Sequence, residues 1–252
     1  MKIIRFSFSK KISYGILDKE TVKVMTGNPF KDIKYSGIKY KLSDIRLLAP
    51  CVPSKVVCLG LNYRSHADEF KLEYPKIPIL FLKPATSVVG PEEKIIYPEM
   101  SHRVDYEAEM GIVMKKKASH VSPQDAMDYI LRYTCFNDVS ARDLQKPDGQ
   151  WTLCKGFDTF APIGPCIETE ADPSNMPLAA YLNGELKQNG NTADLIFPVN
   201  EIVSFVSRAM TLLPGDVIAT GTPSGIGPMN PGDTIEIKID PIGILRNYVS
   251  KP

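Results

Sequence analysis

Alternation of apolar and polar residues with a period of two, the mark of half-buried strands, recurs along this chain from Lys2-Ile3-Ile4-Arg5-Phe6-Ser7-Phe8 to Asp233-Thr234-Ile235-Glu236-Ile237-Lys238-Ile239. Residues 1 to about 48 read as short strands with turns at Ser13-Tyr14-Gly15 and Gly27-Asn28-Pro29. Pro50 and Pro53 then mark a linker, so a small N-terminal β-rich unit (1–50) is expected ahead of a main body (51–252). The main body opens on a buried strand at 55–61, after which Ser65 and Asp68 fit a capping box that starts a helix. A strand is expected over 104–114. Ser122-Pro123-Gln124-Asp125 begins a predicted helix whose apolar stripe is Ala126, Met127, Ile130 and Leu131 and which stops near Tyr133, with a strand over 134–140 behind it. Residues 201–213 form a second amphipathic helix closed by Pro214-Gly215-Asp216, and 216–220 is a strand running into a glycine-rich loop at 221–228. Many strands and few helices give an α+β, β-rich fold.

The 104–114 strand carries the most informative chemistry. Side chains at i and i+2 share a face, so Glu107 and Glu109 point the same way, with Gly111 and Val113, while Tyr106, Ala108, Met110, Ile112 and Met114 face a core. Two like charges on one face repel, and burial raises one pKa or demands a counter-ion. An exposed edge strand that carries charge against aggregation would show the same Glu-x-Glu. Asp138, one strand-helix-strand unit of about thirty residues further on, adds a third carboxylate on a neighbouring strand. Three oxygen ligands suit Mg²⁺ or Mn²⁺ and leave positions for water and a bidentate 2-oxo carboxylate. Asp105 shares the glutamates' face and reads either as their support or as a solvated strand-end charge.

Composition narrows the field by exclusion. With 43% hydrophobic and 23% charged residues in 252, the chain has an ordinary globular composition and enough length for a large core. A formal net charge of +1 gives no case for nucleic acid or an acidic membrane, and Lys115-Lys116-Lys117 reads as a solvated turn. Five cysteines without a C-x-x-C pair argue for reduced thiols. The start lacks a signal-peptide apolar stretch and no run approaches a membrane span, so a cytoplasmic location is expected.

His66 and Glu69 lie three apart, on one face of a helix, where the carboxylate would orient the imidazole as a general base. Lys155 falls in a mostly apolar run read as a strand, where the local pattern favours a strand-edge lysine over a buried ammonium with an anionic partner. Cys154 reads as a small core residue. The Gly221–Gly227 loop lacks the Gly-Lys-Ser/Thr ending of a nucleotide cradle, so backbone N–H groups and the Thr222 hydroxyl binding a carboxylate, or a plain turn, are the readings it leaves.

These segments, in order, resemble the fumarylacetoacetate hydrolase family from about residue 53 to residue 249. The resemblance is carried by Gly60-Leu61-Asn62-Tyr63 with His66 and Glu69, Phe81-Leu82-Lys83-Pro84, Asp105-Tyr106-Glu107-Ala108-Glu109, Asn137-Asp138 through Gln145, Gly149-Gln150-Trp151 through Asp158, Leu182-Asn183-Gly184 and Thr220-Gly221-Thr222-Pro223-Ser224-Gly225. It implies a mixed β-sandwich roll, usually dimeric, with Glu107, Glu109 and Asp138 as ligands of Mg²⁺ or Mn²⁺. It implies that His66 and Glu69 activate water from a lid segment, that Lys155 stands near the metal and developing negative charge, that Gln145 is a polar contact near the lid, and that Thr222 with the Gly221 turn contacts a substrate carboxylate. The activity expected is hydrolysis of a C–C bond in acylpyruvate-like 2,4-dioxo acids. The alternatives are isomerisation of 2-hydroxyhepta-2,4-diene-1,7-dioate, tautomerisation or decarboxylation of acids such as oxaloacetate, and a non-catalytic metabolite binder.

Overall fold

The computed structural model describes residues 1–146 and 150–252, so Gly149 of the Gly149-Gln150-Trp151 motif lies outside the described residues. The chain is strand-rich, as its periodicity predicts. A 12-stranded sheet runs in the order Lys34–Lys41, Thr21–Thr26, Lys11–Asp18, Lys2–Phe8, Ala161–Glu168, Ile130–Asn137, Ala108–Met114, Val217–Ala219, Lys55–Gly60, Ile79–Pro84, with Arg46–Leu48 and Val88–Val89 attached beside it. The N-terminal strands are thus hydrogen-bonded into the main sheet, Lys2 and Ile3 pairing with Glu168 and Ile167. A five-stranded sheet (Glu185–Asn191, Pro177–Leu182, Thr234–Ile239, Gly243–Ser250, Lys94–Ile96) and a three-stranded one (Ser140–Ala141, Val104–Tyr106, Gly227–Met229) complete the roll.

Alternation along Ala108–Met114 explains the layering. Met110, Ile112 and Met114 enter the larger core, shared with Leu178, Ile235 and Ile237 of the five-stranded sheet. Val113 faces a second cluster with Val56, Cys58 and Ala219. All seven residues of the strand are buried, and each large apolar side chain so buried contributes about 1.5–3 kcal/mol.

Among the described residues, three α-helices interrupt the strands: α1 (Arg64–Glu69), α2 (Thr152–Lys155) and α3 (Val199–Ala209). Helix α3 buries Val199, Ile202, Val203 and Val206, and it starts and stops earlier than the periodicity of 201–213 predicts. The helix expected over 122–133 is absent. Only a 3₁₀ turn, Ala126–Tyr129, forms before the strand Ile130–Asn137, which pairs antiparallel with Ala108–Met114. The capping box also fails to form: the N-cap of α1 is Tyr63, without a side-chain cap, and the Ser65 N–H is taken by Asp194 Oδ2 at 2.9 Å.

Candidate active site and metal centre

Glu107 sits at a one-residue break between Val104–Tyr106 and Ala108–Met114, where the chain passes from the small sheet to the large one. Its N–H donates to Asn137 Oδ1 (3.0 Å) and its carbonyl accepts from the Asp138 N–H (2.9 Å). The antiparallel pairing therefore delivers Asp138 beside the glutamates. One carboxylate oxygen from each of Glu107, Glu109 and Asp138 lies within 4.8 Å of the others, and all three residues are buried.

Such a concentration of charge requires cations. Lys155 Nζ donates to Glu107 Oε2 (2.9 Å) and Asp138 Oδ2 (2.6 Å). Arg142 pairs with Glu107 Oε1 and with Asp105 Oδ2. Lys83, fully buried, donates to the carbonyls of Val139, Lys155 and Phe160 at 2.7–2.9 Å and lies 2.7 Å from Asp138 Oδ1. Burial pushes the Glu107 carboxyl up, but Lys155 and Arg142 outweigh it and hold the group well below the usual range. Burial likewise lowers the Lys155 ammonium, and Asp138 with Glu107 more than reverses it.

Glu109 stands apart from this compensation. Its one hydrogen-bond donor among the described residues is the Gly221 N–H, at 2.8 Å, and burial, then Asp138 and Glu107, drive its pKa well above the carboxylate norm. Asp138 Oδ1, in spite of the nearby ammonium of Lys83, accepts no hydrogen bond. A buried carboxylate without an ion-pair partner among the described residues, converging with two other carboxylates, fits a hard divalent ion. Glu107, Glu109 and Asp138 are the residues that would hold it.

The Gly221 turn is built for this contact. Its φ of +93° suits glycine, and a Cβ would come within 2.9 Å of Asn62 Cβ. Asn62 in turn donates to the Thr220 carbonyl (2.8 Å) and accepts from the Phe197 N–H (2.8 Å). Because the Gly221 N–H is engaged by Glu109, Gly221 positions that carboxylate rather than offering a substrate the free donor expected of it. The Thr222 hydroxyl accepts from Gln188 Nε2 (2.8 Å), which leaves its own proton to give to a ligand.

A cavity of about 510 Å³ joins these groups; His66, Gln145, Thr222, Lys155 and the three acids all line it. His66 Nδ1 lies 3.2 Å from Glu69 Oε2, and Glu69 Oε1 accepts from the Gly225 N–H at 3.2 Å, tying α1 to the loop behind Thr222. Gln145 Oε1 accepts from Arg142, so its amide N–H₂ remains as a donor.

The expectation that Lys155 is a strand-edge residue is overturned. It ends the single-turn helix α2 and is 3% exposed, with two carboxylates as partners. Asp105 is likewise no solvated strand end but a fully buried acid bridging Arg103 and Arg142. The sequence reading assigned no role to Lys83 or Arg142. Lys83 carried no such signal: it is the one buried residue of the edge strand Ile79–Pro84, and the carbonyls that hold it are distant in sequence.

Residues 55–250 match the family described as Fumarylacetoacetate (FAA) hydrolase C-terminal, and residues 1–50 match one described as Rv2993c-like, N-terminal. An uncharacterized protein of Archaeoglobus fulgidus is 51% identical over 86% of this chain and 87% of its own length. The mitochondrial oxaloacetate tautomerase Fahd2a of Rattus norvegicus is 42% identical over 82% of this chain and 70% of its own. Among solved structures, the 2-hydroxyhepta-2,4-diene-1,7-dioate isomerase of Mycobacterium marinum superposes with a TM-score of 0.93 at 42% identity, covering 100% of this chain and 98% of that one. With the match running through every strand that builds the acid cluster, the chain belongs to the fumarylacetoacetate hydrolase C-terminal family.

Proposed function

We propose that this protein is a Mg²⁺- or Mn²⁺-dependent hydrolase that cleaves a C–C bond in acylpyruvate-like 2,4-dioxo acids. The observation that carries this reading is the convergence of the acid cluster and the His66–Glu69 pair on one cavity. When bound, the cation would supply Lewis-acid polarisation of the 2-oxo acid's oxygens. The remaining work falls to the chain. Thr222 and Gln145 have donors without a partner among the described residues, for a substrate carboxylate and carbonyl. Glu69 holds His66 through Nδ1, so Nε2 takes the proton from a water molecule as the water oxygen bonds to the distal carbonyl carbon. The C–C bond then breaks with its electron pair passing to the three-carbon fragment, which leaves as an enolate beside the Lys155 ammonium and becomes pyruvate on receiving the proton that His66 took from the water, the other fragment leaving as the carboxylic acid.

A second reading has its own support. Arg103 lines the cavity with its side chain half exposed, and two of its nitrogens are engaged by Asp105 while Nη1 has no partner among the described residues. It could hold the far carboxylate of a dicarboxylic acid, and the relatives bearing the names oxaloacetate tautomerase and 2-hydroxyhepta-2,4-diene-1,7-dioate isomerase act, by those names, on such acids. In that case His66 moves a proton between carbon and oxygen without adding water, or the substrate loses CO₂.

Proton NMR of acetylpyruvate with Mg²⁺-loaded and metal-stripped protein separates the two. Metal-dependent release of acetate and pyruvate is the expected result. An unchanged acetylpyruvate spectrum alongside accelerated interconversion or decarboxylation of oxaloacetate would replace the hydrolase by the second reading. The homodimer implied by the resemblance belongs to the same proposal, and light scattering tests it. No helix among the described residues is long and apolar enough to cross a membrane.

A further inference from the structure

Trp151, the single tryptophan of the chain, lines the cavity, and none of the chemistry above uses it. Its carbonyl accepts the Lys155 N–H at 3.0 Å across the turn of α2, so one short helix fixes both the indole and the ammonium in the acid cluster. The indole meets the Phe81 ring edge to face, centroids 5.2 Å apart at 72°. Behind it is Gly60, at the end of Lys55–Gly60. A Cβ there would stand 2.7 Å from Trp151 Cζ3 and 2.8 Å from Cη2. The ring is therefore seated directly on strand backbone, a position that any larger residue at 60 would close. Phe70 and Leu72, which follow α1, line the same cavity and are 51% and 50% exposed. Apolar side chains left uncovered around a cavity are what a ligand's apolar part covers.

We infer that Trp151, seated on Gly60 and braced by Phe81, is a platform for a planar apolar extension of the substrate, so the preferred substrates are 2-oxo acids with an aryl or conjugated acyl end. This rests on the proposed function, because it takes the acid cluster as the anchor of the 2-oxo carboxylate. In that placement the reacting carbons lie between the anchor and the platform. The conjugated end gains a ring face, and Arg103 remains at the mouth with no charge to read.

Equilibrium binding tests this without turnover. Mg²⁺-saturated protein would be titrated with oxalate, 2-oxoglutarate and 4-phenyl-2-oxobutanoate, following Trp151 fluorescence and, for the variants, calorimetry. The phenyl compound is expected to change the fluorescence and to bind about tenfold more tightly than 2-oxoglutarate. Trp151→Leu and Gly60→Ala should each erase that advantage while oxalate affinity stays within about twofold, and Trp151→Phe should restore most of it. Oxalate binding accompanied by a phenyl compound no tighter than 2-oxoglutarate would overturn the platform and leave the metal-anchored site standing. Equal weakening of all three ligands by Trp151→Leu and Trp151→Phe would also overturn it, by assigning the indole to the fold. Failure of all three ligands to bind wild-type protein would instead defeat the proposed function, and the platform with it.

Discussion

The two halves of the cavity are built in opposite ways. The acid cluster lies on or beside the ends of strands in the core, and Glu107, Glu109, Asp138, Lys83 and Lys155 are each no more than 5% exposed. The other side is the six-residue helix α1, of which only Ala67 is buried, tied down by Asp194, by Arg64 to the Leu195 carbonyl and by Glu69 to Gly225. Charges that must not move are locked into the core, where their mutual attraction is strong and least screened. The His66–Glu69 pair, proposed to act on the substrate, rides on a helix too short to be stable alone. Damage to the first half should therefore be felt as lost stability, and damage to the second as lost rate.

Asp138→Ala should have the largest effect. It strips Lys83 and Lys155 of a shared counter-charge inside the core, and a broken buried pair of this kind costs about 3–5 kcal/mol. Urea denaturation would show the loss, and calorimetry should find no Mg²⁺ binding. A variant as stable as the wild type would mean that the three backbone carbonyls around Lys83 already satisfy the charge, and that the cluster is held by the fold rather than by its ion pairs.

His66→Ala is expected to do the reverse. Removal of a general base lowers kcat by about 10²–10⁴. The imidazole touches Glu69 and the edge of the Phe70 ring, so stability should change by less than about 1 kcal/mol. Mg²⁺ affinity should be kept. Full activity in the variant would remove His66 from the mechanism. A loss of Mg²⁺ binding would break the separation of the two halves.

What the sequence disclosed follows the same division. Strand periodicity located Ala108–Met114 and Thr234–Ile239, and the i, i+2 spacing placed Glu107 and Glu109 together. Misread elements are those decided by distant partners or by local irregularity. Between 122 and 137 the pairing is bulged at Val113/Met114, and Arg132 has a φ of +143° while its guanidinium donates to the Met127 carbonyl. That kink interrupts the period of two and leaves Ala126, Met127, Ile130 and Leu131 spaced as a helix. The capping box is lost to Asp194, 129 residues away from Ser65. Lys155 presents no local sign of burial because its partners, Glu107 and Asp138, come from segments 48 and 17 residues earlier in the chain. The acid cluster was legible because two of its members, Glu107 and Glu109, lie one residue apart in sequence. Lys83 and Arg142, which balance them, were not.

A smaller effect sharpens the comparison from the far end of a site strand. Asp216 precedes Val217–Ala219, and its carboxylate accepts from Ser54 N–H (2.9 Å), Ser54 Oγ (2.7 Å), Lys55 Nζ (2.5 Å) and the Leu213 N–H (2.8 Å). Burial raises its pKa, but Lys55, Leu213 and Ser54 more than reverse this and hold it below the usual value. A carboxyl depressed by folding binds its proton more weakly in the native state. Its stabilisation is therefore complete above the unfolded pKa of about 3.9 and is lost as pH falls through the lower native value. Asp216→Asn should accordingly be less stable than the wild type at pH 7, and the gap between their urea midpoints should narrow from pH 5 to pH 3. Glu168 and Asp143, also held low, keep some acid sensitivity in both proteins. Because Asp216 touches neither the acid cluster nor α1, Mg²⁺ affinity at pH 7 should be unchanged. A gap independent of pH would show that Asp216 acts through its geometry alone, leaving acid lability to carboxylates elsewhere in the fold.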